Sequence, residues 1–394
     1  MKSAVLEGLG GAASINKILV VALCGVGDLL FFLPTLKAMR REFKDARVDL
    51  LVLPNGSKAL FSGRGLVDEV YEFPRQKWAA GRGGLRGQVE LLKAVGKVRK
   101  RGYDICIWPY GATTIKKQVL TTLMGARLNI MHKGERFMGD RAVASKNQLV
   151  DYAPLSHGVE RNFKLLKVLG VEIKEEDKEM VFPLSDDEAA FAGSYLRPFE
   201  GSPLVGFHPG GNVAYNNQRQ WEPAKYAGLA DKISDKIGSH SFFFGSESER
   251  GMLEDIRAGM KSGVTLVTEL TLDKVAAVIG GLELFIGNNS ALIHQASSLG
   301  VKTVAINGPT DYHHTGPWGR DTHLVRLDIP CSPCYNYNAG QRKECDDNIC
   351  LKQLSVEDVF KVLDDILKET KHQNEFMPLV YDIPCTAGLT KSAL

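Results

Sequence analysis

The sequence predicts an α/β protein made of two doubly wound parallel-sheet domains. Three observations lead there. Short continuous apolar runs, of the kind buried on both faces of a parallel sheet, recur along the chain. Each is followed by a glycine-bearing turn and then a segment with apolar residues at helical spacing. The length, 394 residues, is about two domains' worth at roughly 100–200 residues each. Lys and Arg number 49 against 46 Asp and Glu, with 44% hydrophobic and 24% charged residues. That balance excludes a disordered, collagen-like or coiled-coil chain.

The first domain opens with Lys17 to Leu23 (KILVVAL), read as a buried strand. The turn Gly25-Val26-Gly27-Asp28 leads into a helix over Asp28 to Phe43, with Leu29, Phe32, Leu33, Leu36 and Met39 on one face. Val48 to Leu53 is a second strand, Val67 to Phe73 a third, 86–101 a helix and Tyr103 to Trp108 a further strand. The polar stretch Lys174 to Glu179 and a helix after Ser185 separate this half from the next, with a linker near 185–202. Pro203 to His208 and Ser241 to Phe244 then read as strands around a helix over Lys225 to Ile237. Leu272 to Ile279 and Ala291 to Leu299 read as helices, Leu284 to Ile286 and Thr303 to Asn307 as strands. The expected domains are 1–185 and 186–370, with a tail over 371–394.

No apolar run reaches the roughly 18 residues needed to span a bilayer. Glu7 interrupts the only small-residue stretch near the N-terminus, so no signal peptide is read there. Seven cysteines, an odd number, argue against a secreted disulfide scaffold. A cytoplasmic protein is the expectation. Residues 1–180 carry 30 Lys and Arg against 19 Asp and Glu. Arg75, Lys77, Arg82, Arg86, Lys93, Lys97, Arg99, Lys100, Arg101, Lys116 and Lys117 form much of that excess. Such a field attracts an anionic partner, whether a phosphorylated substrate or an acidic membrane face. Nucleic acid is not expected, because no binding motif accompanies the charge.

In open α/β sheets, ligands sit at the carboxyl ends of strands. The turn at Gly25 lacks the third glycine and the ribose-binding acid of a dinucleotide fingerprint. What remains is Asp28 at a helix start, by position either an N-cap or a catalytic carboxylate. In the second half, His208-Pro209-Gly210-Gly211 runs through Asn212, Asn216, Asn217 and Gln218 to Arg219. Glycines admit a phosphate close to the backbone, and an arginine supplies a bidentate fork. Gly287-Asn288-Asn289-Ser290-Ala291 opens the helix that carries His294, another anion site by its helix N-terminus. With Gly308 to Asp311 and Thr315-Gly316-Pro317, these loops point to a ligand bearing a diphosphate. Cys331, Cys334, Cys345 and Cys350 are a candidate structural zinc set with partly zinc-like spacing.

Seven stretches carry a family resemblance: KILVVALCGVGDLLFFLPTLKAMRREF with VDLLVLP, VGFHPGGN with RQW, GSESER, and LFIGNNSALIHQASSLGVKTVAINGPTD with TGPWG. Across roughly residues 16–365 the chain resembles glycosyltransferase family 9, the ADP-heptose:lipopolysaccharide heptosyltransferases. The resemblance implies the GT-B fold, with the nucleotide-sugar donor held by the C-terminal domain and no cofactor required. It implies inverting transfer of heptose, from ADP-heptose, to a lipopolysaccharide core or related anionic glycolipid at the inner membrane face, with peripheral membrane contact. By position Asp28 corresponds to the general base, Arg219 to the lysine on the donor phosphates and Glu247 to the ribose carboxylate. Gly210 lies in the donor loop, and Asn289, Ser290, Ala291 and His294 match the segment around the diphosphate and sugar. Two residues depart from the family pattern. Arg219 keeps the charge of the lysine but not its geometry, and Asn289 replaces an acid. Another donor and acceptor, a catalytically silent nucleotide-sugar-binding protein and an epimerase are the alternatives.

Overall fold

A computed structural model describes residues 4–73, 84–109, 111, 114–133, 142, 144–152, 156–211, 219–336, 341–342, 345, 347–368 and 375–385. The chain divides into two compact units, Met1–Glu179 and Met180–Leu394.

The first unit is built on a six-stranded parallel sheet of β1 (Lys17–Ala22), β2 (Arg47–Val52), β3 (Glu69–Glu72), β4 (Ile105–Ile107), β5 (Leu128–His132) and β6 (Asn147–Val150). The order is β3-β2-β1-β4-β5-β6. In β1 every residue after Lys17 is buried, which is why its sequence is a continuous apolar run rather than an alternating one. Leu19, Val21, Leu51, Cys106, Trp108 and Met131 share one face with Val95 and Val98 from the helix beneath. The strand order reverses between β1 and β4. The loops leaving these strands therefore diverge and open a crevice at the carboxyl edge.

The second unit repeats the plan with β7 (Leu204–His208), β8 (His240–Phe244), β9 (Val264–Val267), β10 (Leu284–Asn288), β11 (Lys302–Asn307), β12 (Thr322–Asp328) and β15 (Leu379–Pro384). A small antiparallel pair, β13 (Tyr335–Asn336) and β14 (Gln341–Arg342), stands apart. The order β15-β12-β11-β10-β7-β8-β9 reverses between β7 and β10. Two cores cover the faces. Phe207, Phe243, Trp221, Tyr226 and Ile286 anchor one, and Phe242, Phe244, Phe285, Ile293 and Ala305 the other. Glycine is required where β7 meets β10: a Cβ at Gly287 would lie 2.8 Å from the His208 carbonyl oxygen.

Several expectations are corrected. The helix expected over Asp28 to Phe43 is two helices, Val26–Leu30 and Leu33–Glu42. The second carries Pro34 in its first turn, and proline has no N–H to continue the first helix's ladder. Asp28 is not an N-cap: Gly25 holds that position and Asp28 lies in the first turn. The stretch expected as a linker begins with Ser185, which caps the Asp186–Leu196 helix in a capping box with Glu188. That helix packs against Leu272–Gly280, so the division falls at 179/180 rather than at 185. The segment expected as a tail contains β15, paired in parallel with β12 from His323↔Leu379 to Asp328↔Pro384. Among the described residues no helix is long and apolar enough to cross a membrane.

Candidate functional site

In the first unit, the residues after β1 turn through Gly25 into the Val26–Leu30 helix, and the half-buried Asp28 lines a pocket at the reversal point of the sheet. A Cβ at Gly25 would meet Asp28 Oδ2 at 3.4 Å, so the bare glycine backbone borders the carboxylate. Phe31, His132, Tyr152, Arg161 and Asn162 form the rest of the wall, with Pro109 and Gly111 from the loop after β4. His132 ends β5, next to β4 in the sheet. Arg161 and Asn162 come from the Gly158–Lys167 helix, which His157 and Glu160 cap in a capping box.

The Arg161 guanidinium stacks 5.0 Å from the Tyr152 ring centre, and His132 meets the same ring edge-on at 5.4 Å. Asn162 Nδ2 donates to the Phe31 carbonyl at 3.1 Å. Burial, then the charges of Arg161, Lys164 and Lys117, push the His132 imidazole down to about 3. Burial also lowers the Lys117 ammonium, whose nitrogen lies 5.7 Å from the Trp108 ring centre. The pocket is thus a concave site with one carboxylate, Asp28, and one guanidinium, Arg161, on its wall. Sequence reading found Asp28 but not His132, Arg161 or Asn162.

In the second unit the loops after β7, β8, β10 and β11 leave the same carboxyl edge, because these strands are all parallel. His208 ends β7, and its Nδ1 lies 2.9 Å from the Ser290 hydroxyl. Ser290 is the N-cap of the Ala291–Ser298 helix, leaving that helix's first N–H groups to face a ligand. Arg219 Nη2 donates to the Asn289 carbonyl at 3.0 Å. Asn289 Nδ2 donates to Asn307 Oδ1 at 3.1 Å, and the buried Asn289 Oδ1 has no hydrogen-bond partner among the described residues. His294 is buried, and burial followed by the charge of Arg219 pushes it down to about 3. It is a neutral imidazole near an arginine. Asn288 holds the backbone of Pro209 and Gly210.

Glu247, expected at the donor ribose, and its neighbour Glu249 face opposite ways. Glu247 is exposed and doubly bonded to Arg250 at 2.9 and 2.8 Å. Glu249 turns inward. Its Oε2 accepts from the Ser246 N–H at 2.7 Å and its Oε1 from the Gly211 N–H at 3.2 Å. Burial works to raise its pKa, but the bonds from Ser246, the nearby His208 and the Gly211 N–H hold it below the usual carboxylate range. A Cβ at Gly210 would collide with the Glu249 carboxylate. The signal in the sequence was the spacing Ser246-x-x-Glu249, a capping box. Asn212, Asn216, Asn217 and Gln218 lie outside the described residues, as do Arg75, Lys77 and Arg82 and the side chain of Arg86.

Cys331, Cys334, Cys345 and Cys350 form no disulfide, and among the described residues no three His, Cys, Asp or Glu are arranged to hold a metal. Cys350 and Cys331 are engaged instead with the apolar core around Leu351 and Ile329. Burial first, then Cys334, Cys345 and Cys331, pushes the Cys350 thiol up to about 12.

Residues 91–343 match Glycosyltransferase family 9 (heptosyltransferase). The chain belongs to this family and is a glycosyltransferase, and its two units are those of the GT-B fold. Lipooligosaccharide heptosyltransferase 2 of Campylobacter jejuni is 24% identical over 355 residues, 88% of this chain and 96% of that protein. Lipopolysaccharide heptosyltransferase 2 of Escherichia coli K12 is 23% identical, over 79% of this chain and 88% of its own. Among solved structures, E. coli ADP-heptose lps heptosyltransferase II superposes with TM-score 0.69 at 20% identity, covering 89% of this chain and 98% of that one. E. coli heptosyltransferase WaaC with ADP gives 0.68 at 19%, covering 89% and 99%.

Proposed function

We propose that the chain transfers a heptose, with inversion, from ADP-heptose to a lipopolysaccharide core or related glycolipid. The observation that carries this reading is the position of Asp28 on the wall of a pocket, with Arg161, at the reversal point of its sheet. A carboxylate there accepts the proton of an acceptor hydroxyl as the oxygen attacks the anomeric carbon. The C–O bond to the diphosphate breaks as the new glycosidic bond forms on the opposite face, and ADP carries away the electron pair. Arg219 and the N–H groups at the start of the Ala291–Ser298 helix stabilise the charge that develops on the diphosphate. Glu249, beside the Gly210–Gly211 backbone, takes the ribose role first assigned to Glu247.

Asp28→Asn tests the reading. ADP binding should be unchanged while turnover falls roughly 10²–10⁴-fold. A variant that turns over normally would remove Asp28 from the mechanism.

A donor other than ADP-heptose is the second reading, favoured by Asn289 in place of an acid, with its buried Oδ1 still without a partner. A thermal-shift series of ADP-, UDP-, GDP- and dTDP-sugars separates the two, since stabilisation tracks ligand excess over dissociation constant. Membrane contact is supported by exposed Val89, Leu92, Val119 and Leu123, on the packed helices Gly84–Arg99 and Ile115–Met124. Exposed Lys93, Lys97 and Lys116 lie on the same two helices.

A further inference from the structure

Ser290 occupies the N-cap of the Ala291–Ser298 helix, yet its hydroxyl does not cap that helix. A serine in this position ordinarily turns its oxygen onto the N–H of the second or third helical residue. Here the hydroxyl lies 2.9 Å from Nδ1 of His208, the last residue of the neighbouring strand β7. The surroundings of the imidazole decide which atom donates. Its Nε2 lies 3.2 Å from the point where a Gly210 Cβ would stand, and the Glu249 carboxylate crowds the same point. Burial holds the ring below the usual histidine range although Glu249 pulls the other way. A neutral imidazole has one N–H, and the negative charge beside Nε2 keeps it there. Nδ1 is then the acceptor, and the Ser290 hydroxyl donates to it.

The consequence falls on the helix. Its hydrogen-bond ladder begins with the His294 N–H on the Ser290 carbonyl at 3.3 Å. The N–H groups of Ala291, Leu292 and Ile293 precede the ladder, and the hydroxyl that would cap one of them is turned away. We infer that His208 is a positioning residue for the nucleoside diphosphate: by holding the Ser290 hydroxyl, it keeps the helix from capping itself and leaves the Leu292 and Ile293 N–H groups to the diphosphate oxygens. An anion at a helix start draws on those donors and on the helix dipole together. An internal cap removes one donor and puts an oxygen lone pair in the ligand's place. The inference rests on the proposed reading of this helix as the diphosphate site and deepens it, since His208 acts there without touching the ligand.

A double-mutant cycle on the full-length chain tests it, with ADP, UDP and GDP as probes in isothermal titration. His208→Phe keeps a ring in the buried position but frees the Ser290 hydroxyl to cap its own helix. Affinity for the diphosphate that binds the unsubstituted chain should fall roughly fivefold to thirtyfold, the worth of an N-cap. In a Ser290→Ala chain the same His208 substitution should cost less than about twofold, because no hydroxyl remains to compete. His208→Asn, whose amide reaches the hydroxyl from the place of Nδ1, should recover most of the loss. A histidine that served packing alone would cost the same in both backgrounds, and that result overturns the inference. So does a His208→Asn variant as weak as His208→Phe. Backbone amide NMR of the unsubstituted chain requires no variant to fold: the diphosphate should shift the Leu292 and Ile293 resonances, and unmoved amides overturn the inference as well. Its fate is separable from that of the parent reading. If no nucleoside diphosphate binds the unsubstituted chain, site and inference fall together, whereas binding with additive substitutions removes only the role of His208.

Discussion

Asn288 Nδ2 donates a 2.7 Å hydrogen bond to the Pro209 carbonyl, fastening the last residue of β10 to the loop after β7. The same amide donates to Gly210 at 3.1 Å, while Oδ1 accepts from the Trp221 N–H at 2.8 Å and the Tyr226 hydroxyl at 3.0 Å. One side chain, 1% exposed, thus satisfies four groups: the Pro209 and Gly210 carbonyls, the Trp221 N–H and the Tyr226 hydroxyl on the Pro223–Ile237 helix. Asn288→Ala leaves all four without it. We expect a loss of roughly 3 kcal/mol or more in denaturant unfolding of this unit, and weaker ADP binding. Asn288→Asp keeps the two accepted bonds but points an oxygen at two carbonyls, so ADP affinity should fall there too. Unchanged ADP affinity in both would show that this loop does not shape the nucleotide site.

The carboxylates of the β8 loop give a paired test. Glu249→Gln weakens acceptance from the Ser246 and Gly211 N–H groups and removes the charge beside His208. ADP binding should fall roughly tenfold, the scale of a hydrogen bond to a charged group. Glu247→Gln breaks only the exposed pair with Arg250, which contributes little, and ADP binding should stay within about twofold. Isothermal titration of both variants decides. The reverse order would return the ribose role to Glu247.

Much of this arrangement was legible in the sequence. ILVVA had to be a buried strand, and the glycine turn after it placed Asp28 at a carboxyl edge without any knowledge of its neighbours. The loops at His208, Asn288 and Gly308 could be read the same way. His132 and Arg161 could not. His132 reaches the pocket because β5 is placed beside β4, and Arg161 because its helix buries a broad face that includes Val159, Asn162 and Phe163. Both depend on contacts between residues far apart in the chain. β15 was hidden for a related reason. Its residues are exposed or half-buried, none fully buried, and its partner β12 lies some fifty residues earlier. Glu247 and Glu249 differ only in which one completes the box with Ser246.

Acid should destabilise both units through histidines. His132 and His294 are each held near a pKa of 3 in the fold, against about 6.5 in the unfolded chain. Below pH 6.5 the unfolded chain binds the extra protons, so stability present at pH 7 is lost as pH falls, until about pH 3 where the folded groups also protonate. From pH 7 to 5.5 each histidine should remove roughly 1–1.5 kcal/mol. Urea unfolding at the two pH values measures it. His132→Phe should flatten the dependence of the first unit, and an equally steep variant would mean the acid sensitivity lies elsewhere.

The proposed contact with a membrane can be tested through charge and apolar area together. Leu92 is 62% exposed, and Val89, Val119 and Leu123 are each more than 40% exposed. They stand on two helices that pack side by side and also carry exposed Lys93, Lys97 and Lys116. Each basic residue near an anionic surface contributes about 1 kcal/mol, screened by salt, while inserted apolar side chains contribute without such screening. The chain should therefore float with vesicles containing anionic lipid and not with neutral ones, and salt should weaken the association without abolishing it. Leu92→Glu with Leu123→Glu should release it at low salt and leave ADP binding intact, because neither side chain lies near the nucleotide loops in sequence or in fold unit. Equal flotation of the double variant would assign the association to charge alone, and flotation with neutral vesicles would remove the basic residues from it.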